Sequence, residues 1–171
     1  MAFRAAVGGR VYSASGFYCP EISCSFTTAY NVAGGSSTAG SWQTRPLNTT
    51  DYNDISGAYL SSNQIFLPAG RYEMNWWMSI HAGSAFTAQS WCNVSYNSIT
   101  TNSYFYGNVV FNDSKQDVSA GTGRIWLPYG GQVSLVYWTD TAKATDGLGI
   151  LTGFLNTSIK HAQLTITKIR M

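Results

Sequence analysis

The chain has 171 residues, enough for one domain whose core needs neither metal nor disulfide to hold it. Charged residues make up 11% of it, about half the usual share, while aromatics reach 15%; a surface so poor in charge is one that partners cover. The net charge of +2 comes without a basic run, which gives no reason to expect nucleic acid, and no stretch of about 18 apolar residues is present to cross a membrane as a helix.

Residues 1–16, "MAFRAAVGGRVYSASG", are small and glycine-rich, with Arg4 and Arg10 but no acidic residue. No long apolar run follows the arginines, so the stretch does not read as a signal peptide. Chain ends ordinarily fray. Here the expectation is instead an attachment arm over residues 1–18, with Phe3, Arg4, Arg10 and Tyr12 as its contact residues, ahead of one domain over residues 19–171. Three cysteines, Cys19, Cys24 and Cys92, argue against a disulfide framework and leave only a single pair open. The missing signal and the odd cysteine count fit synthesis in a reducing cytosol.

From there apolar residues recur at period two, punctuated by Gly, Asn, Asp and Ser, and nothing repeats with helical spacing. Strands are predicted over residues 21–30, 41–47, 59–67, 71–81, 88–96, 103–111, 123–127, 132–139 and 158–170. That number of short strands argues for an all-β antiparallel sandwich. Residues 33–40, "AGGSSTAG", and 140–149, "DTAKATDGLG", read as flexible connections. "TTDYND", residues 49–54, reads as an Asx-rich turn; Asp51, Asn53 and Asp54 are hard oxygen ligands without the later glutamate and glycine of a calcium loop.

In "IFLPAGRYEMNWWMSI", residues 65–80, Tyr72, Met74, Trp76, Met78 and Ile80 share one face, and Glu73, Asn75, Trp77, Ser79 and then His81 share the other. The first is a core face. The second should be wet, and Trp77 on it is expected to be covered by a neighbouring subunit. Two corners echo each other: "QIFLPAGRYEMNWWMS" and "GRIWLPYGGQVSLVYWT" both run strand, Leu-Pro, a turn with glycine, then a strand ending in aromatics. Pro68 and Pro128 suit strand ends, and Gly70 and Gly130 allow the positive φ of a tight corner. Two such corners suit the two Greek-key halves of a jelly roll.

Catalysis has little to stand on. His81 closes a core strand and His161 opens the last one; a lone histidine at a strand end is read as a solvated surface residue. No G-x-S-x-G, H-E-x-x-H or phosphate-cradling loop is present. Cys19 and Cys24 are too loosely spaced for a zinc site and read as small hydrophobes of the core, as does Cys92. Aromatics beside Asn, Ser and Thr can stack on sugars or grip other proteins. Trp91 and "NSYFYGN", residues 102–108, are candidates for this, but as strand residues they read first as core or subunit contacts.

Two blocks carry a resemblance. "GSWQTRPLNT" holds Trp42, Arg45, Leu47, Asn48 and Thr49; "LSSNQIFLPAGRYEM" holds Leu60, Asn63, Gln64, Leu67, Pro68, Ala69, Gly70 and Tyr72. Together with the closing strand "HAQLTITKIR", they resemble a family of small jelly-roll domains found in tailed-bacteriophage virion proteins. These domains are similar to the trimeric jelly rolls of tumour necrosis factor and the complement globular heads. The resemblance spans roughly residues 20–170. On the residues alone, Leu47, Leu60 and Leu67 can point into a core and Tyr72 can pack beside the Pro68 corner. Arg45 can meet backbone carbonyls or an acid such as Asp51 or Asp54, and Asn48 and Asn63 can cap loose backbone groups.

The resemblance implies binding and assembly, with no enzyme activity and no cofactor. It implies a homotrimer, for which Trp77, Tyr104, Tyr106 and Trp138 are the expected contacts. Many relatives end a long fibre; about twenty residues ahead of this domain leave no shaft. The expected role is therefore a capsid decoration or cement protein on the virion surface, made in the bacterial cytoplasm, its arm clamped to the major capsid protein or another virion protein. The alternative is a fibre or receptor-binding tip that attaches to a host-surface glycan or protein. Neither nucleic acid nor membrane insertion enters either reading.

Overall fold

The computed structural model describes residues 5–7, 10–12, 18–30, 32–81, 85–97, 102–113, 116–149 and 158–169. Among them, β1 (Ala5–Val7) and β2 (Arg10–Tyr12) form a two-stranded antiparallel hairpin within the expected arm. Phe3 and Arg4 of that arm lie outside the described residues, as do the side chains of Arg10 and Tyr12. The remaining strands are β3 (Glu21–Thr28), β4 (Gln43–Thr44), β5 (Thr49–Asn53), β6 (Tyr59–Ser61), β7 (Gln64–Leu67), β8 (Gly70–His81), β9 (Ala85–Tyr96), β10 (Asn102–Asp113), β11 (Gln116–Leu127), β12 (Gly131–Thr139) and β13 (Ile159–Ile169).

They build two antiparallel sheets. Sheet I runs β5-β3-β13-β8-β11, and sheet II runs β6-β7-β12-β9-β10, with β4 beside β7 along the same edge of β12. The arrangement is the jelly roll expected from the sequence. The period-two pattern decides which side of each strand is dry. Tyr72, Met74, Met78 and Ile80 of β8, Leu164 and Ile166 of β13, and Val133 and Leu135 of β12 are wholly buried between the sheets. Each such side chain is worth about 1.5–3 kcal/mol of hydrophobic stabilisation.

The two proline corners are where the chain changes sheets, from β7 to β8 through Pro68 and from β11 to β12 through Pro128. Tyr72 anchors the first by donating its hydroxyl to Pro68 O at 2.7 Å. The two glycines serve different ends. Gly130 does take a positive φ of 81°, whereas Gly70 does not; a Cβ there would press on the Tyr72 hydroxyl at 2.9 Å. Gly70 is therefore a gap for Tyr72 rather than a left-handed hinge.

Several expectations are corrected. The strand predicted over residues 59–67 is a hairpin, β6–β7, turning at Ser62 (φ 49°) and Asn63 (φ 64°), the positive-φ pair of a type I′ turn. Residues 49–53 form a strand, β5, and the Asx turn begins only at its end, where Asn53 Oδ1 accepts from the Ile55 N–H. Strand β11 begins at residue 116 rather than 123, because Ser119 and Gly121 occupy inward positions and leave no apolar alternation to read. The supposedly flexible stretches 33–40 and 140–149 are bonded to each other: Ser37 and Lys143 exchange backbone bonds at 2.9 and 3.2 Å, and Gly34 N–H reaches Gly149 O at 2.9 Å.

Candidate binding surface

Each sheet has a dry inner face and an outer face, and the two outer faces differ in chemistry. On sheet II, cross-strand register puts Trp91 and Asn93 of β9, Tyr104 and Tyr106 of β10 and Val136 and Trp138 of β12 on the same outer side. Trp91 is the hub. Tyr106 meets it edge-on with centroids 5.4 Å apart, and Tyr104 does so at 6.1 Å. Trp42, just ahead of β4, rests on Trp91 and also approaches Trp138 at 6.3 Å. A bulge between Tyr106 and Val109 keeps the outward side of β10 apolar along its length, since Val109 and Phe111 still face out. Phe111 is 74% exposed, Tyr106 62% and Trp42 46%.

That cluster contains two loose ends. Trp91 is only 7% exposed, yet its Nε1–H has no hydrogen-bond partner, and neither has Asn93 Oδ1 two residues along the same face. A buried polar group left this way costs about 1–3 kcal/mol. None of the outward positions of β9 and β12, nor Tyr104, Tyr106, Val109 or Phe111, carries a charge.

The outer face of sheet I is more polar, and most of its side chains bond to one another. Trp77 is half-buried and donates its Nε1–H to Gln163 Oε1 at 3.2 Å; Gln163 in turn donates to Ser23 Oγ at 2.9 Å, and Ser23 meets Thr165 at 3.1 Å. Arg124 pairs with Glu73 at 3.0 Å and Lys160 with Asp51 at 2.9 Å. The apolar outliers on this side are Val118 and Trp126 of β11, 43% and 60% exposed. Of the four expected trimer contacts, then, Trp77 lies on one outer face while Tyr104, Tyr106 and Trp138 lie together on the opposite one.

The motif residues hold the fold. Leu47 and Leu67 are in the core, with Leu60 packed against it. Asn48 clamps Thr27, accepting its N–H at 2.9 Å and donating to its carbonyl at 2.8 Å. Asn63 Oδ1 accepts from Leu47 N–H at 3.3 Å, and Gln64 sits in the β6–β7–β12 ladder. Arg45 is wholly buried: Nη2 donates to Leu148 O at 2.8 Å, the Phe26 ring lies 5.1 Å away, and Nε and Nη1 have no partner. The carbonyl was one of its two expected partners; the acids are elsewhere, Asp51 on Lys160 and Asp54 on Tyr52. Burial pushes the Arg45 pKa down to about 9, so the guanidinium stays charged at neutral pH.

Both histidines are buried, against expectation. The 143–149 stretch folds back over the ends of β8 and β13: His81 N–H donates to Gly147 O at 2.9 Å, and its ring lies 3.4 Å from Asp146. Thr28 Oγ1 donates to Val32 O and so accepts from His161 Nε2 at 3.0 Å. Cys24 and Cys92 are fully buried free thiols, the first pushed up to about 11 by burial, and Cys19 is half-buried. Among the described residues no three His, Cys, Asp or Glu come together in a way that could hold a metal.

Crystal structures of murine APRIL at pH 8.0, 8.5 and 5.0 share this architecture, with TM-scores of 0.58, 0.58 and 0.61. Each covers 88% of this chain and 99% of its own length, at 11% identity. The fold is thus that of the tumour-necrosis-factor-like jelly rolls. No family profile and no curated protein sequence matches the chain.

Trp77 was legible in the sequence as an aromatic on the outward side of its strand, and Tyr104, Tyr106 and Trp138 only as expected subunit contacts. The contact between Trp42 and Trp91 was not, because residues 42 and 91 meet only through the packing of β4 and β9 on either side of β12.

Proposed function

We propose that the chain is a non-enzymatic structural protein of a tailed-phage virion, a homotrimeric jelly roll on the particle surface that decorates and cements the capsid. The observation that carries this reading is the pair of outer faces. An isolated domain with 11% charged residues leaves Phe111, Tyr106 and Trp126 more than half exposed on opposite sides. Apolar patches of that kind mark contact surfaces. The centre of sheet I's outer face suits a second copy, because Trp77, Gln163, Ser23 and Thr165 already satisfy one another and can be covered at little cost. The Trp42 and Gly70 sequence blocks support the virion setting, and the arm over residues 1–18 supplies the tether to the coat.

Three copies per contact point multiply weak attachments, and a ligand that binds only the assembled shell stabilises it by mass action. Stripping the protein from virions should therefore lower the temperature at which DNA is released, and adding it back should restore that temperature. An unchanged release temperature sinks the cementing role. The aromatic face of sheet II favours a second reading, a receptor-binding tip; in that case purified protein competes with virions for host cells and blocks infection.

A further inference from the structure

We infer that the outer face of sheet II around Trp91 is a binding subsite for a neutral saccharide. The inference rests on this face alone and does not depend on the virion reading. Sugars offer two things at once: apolar C–H faces that lie against aromatic rings, and hydroxyls that both donate and accept. This face answers both. Trp42, Tyr104 and Tyr106 lie against Trp91, Trp138 lies beside Trp42, and together they supply the rings. The Trp91 Nε1–H is a donor without an acceptor, in a side chain more than nine-tenths buried, and Asn93 Oδ1 is an acceptor without a donor. A pair of neighbouring sugar hydroxyls completes both, whereas an apolar protein side chain would complete neither.

The absence of charge selects among sugars. The outward positions of β9 and β12 offer no cation for a uronate, sialate or phosphate, and the carboxylate at the end of this face, Asp140, is taken up by the Thr87 N–H. The remaining polar groups there are amides and hydroxyls, among them Gln89 and Ser134. Few polar groups among aromatics is the usual make-up of a small-ligand site. Trp42, Trp91 and Trp138 all lie in this cluster, so a sugar bound there should change the tryptophan emission.

The test is calorimetry and tryptophan fluorescence with cellohexaose, maltohexaose, mannohexaose and chitohexaose as neutral probes and polygalacturonate as the anionic one. At least one neutral hexasaccharide should bind and shift the emission. Tyr106→Ala, Trp138→Ala and Trp91→Phe should each weaken it about tenfold, while Tyr30→Ala, in the turn after β3, leaves it unchanged. Tyr106 is 62% exposed, so its truncation leaves the core intact. The inference is overturned if no neutral probe binds at millimolar concentration, if polygalacturonate binds as well as they do, or if Trp91→Phe binds like the parent. It is also overturned if Tyr106→Ala lowers the oligomeric mass, since a second copy would then be the occupant.

Discussion

His161 is held neutral by its surroundings. Burial lowers its pKa first, and the Arg45 charge lowers it further. Its folded pKa therefore lies below the unfolded value of 6.5. Between those two values the unfolded chain binds more protons than the folded one, so stability rises with pH there. The contribution is full above about pH 6.5 and is lost as the pH falls below it. Urea midpoints should accordingly be lower at pH 5.5 than at pH 7.5, and His161→Gln, which keeps a donor toward Thr28, should flatten that difference. Equal midpoints for the parent at the two pH values would refute the assignment. Nothing local in "SIKHAQL" announces this. The residue is buried because Thr28, Val32 and Gly149 converge on it from distant parts of the chain. Arg45 was more legible, as a lone cation in a neutral strand, but its carbonyl partner at residue 148 is set by the same fold-back.

The strands most easily read from the sequence are those whose inward positions carry large apolar side chains. In β8 the alternation of Met, Trp and Ile with polar residues gave the strand and its core face together, and in β12 and β13 the period-two recurrence gave the strand. The first half of β11 was hidden because its inward positions are small, and Gly121 shows why they must be. Trp76 fills that part of the sandwich, locked by a bond from Nε1 to Ser90 Oγ at 3.1 Å, and Ser90 is fixed in turn by Ser119 at 2.7 Å. A Cβ on Gly121 would run into the Trp76 ring, with Gly107 of β10 only 2.8 Å away on the other side. The ring cannot turn aside without giving up its bond to Ser90. Gly121→Ala should thus cost about 1–3 kcal/mol by urea unfolding. Adding Trp76→Phe should recover part of that loss, because the two changes are coupled; strict additivity of the two would exclude the clash.

At the scale of the whole molecule, the question is which outer face meets a second copy. An obligate interface buries more than about 2,000 Å² and excludes unpaired polar groups. Sheet I comes nearer to the second condition: Trp77, Gln163, Ser23 and Thr165 form one chain of hydrogen bonds, so covering these four strands none of them, and only the exposed Asn75 amide beside Thr165 needs a partner from the other copy. Sheet II does not, since Trp91 Nε1 and Asn93 Oδ1 would be sealed in without partners unless the other copy supplied them. Val118 and Trp126 add the apolar area that sheet I's centre lacks. The protein should therefore run in light scattering at three times its 18.6 kDa chain mass. Thr165→Lys places a cation in the middle of that face, where a desolvated, unpaired charge costs several kcal/mol. It should release monomers that keep the parent's β-sheet circular dichroism. A parent that is monomeric at micromolar concentration, or a Thr165→Lys protein that remains trimeric, would mean that sheet I is not the face on which the copies meet.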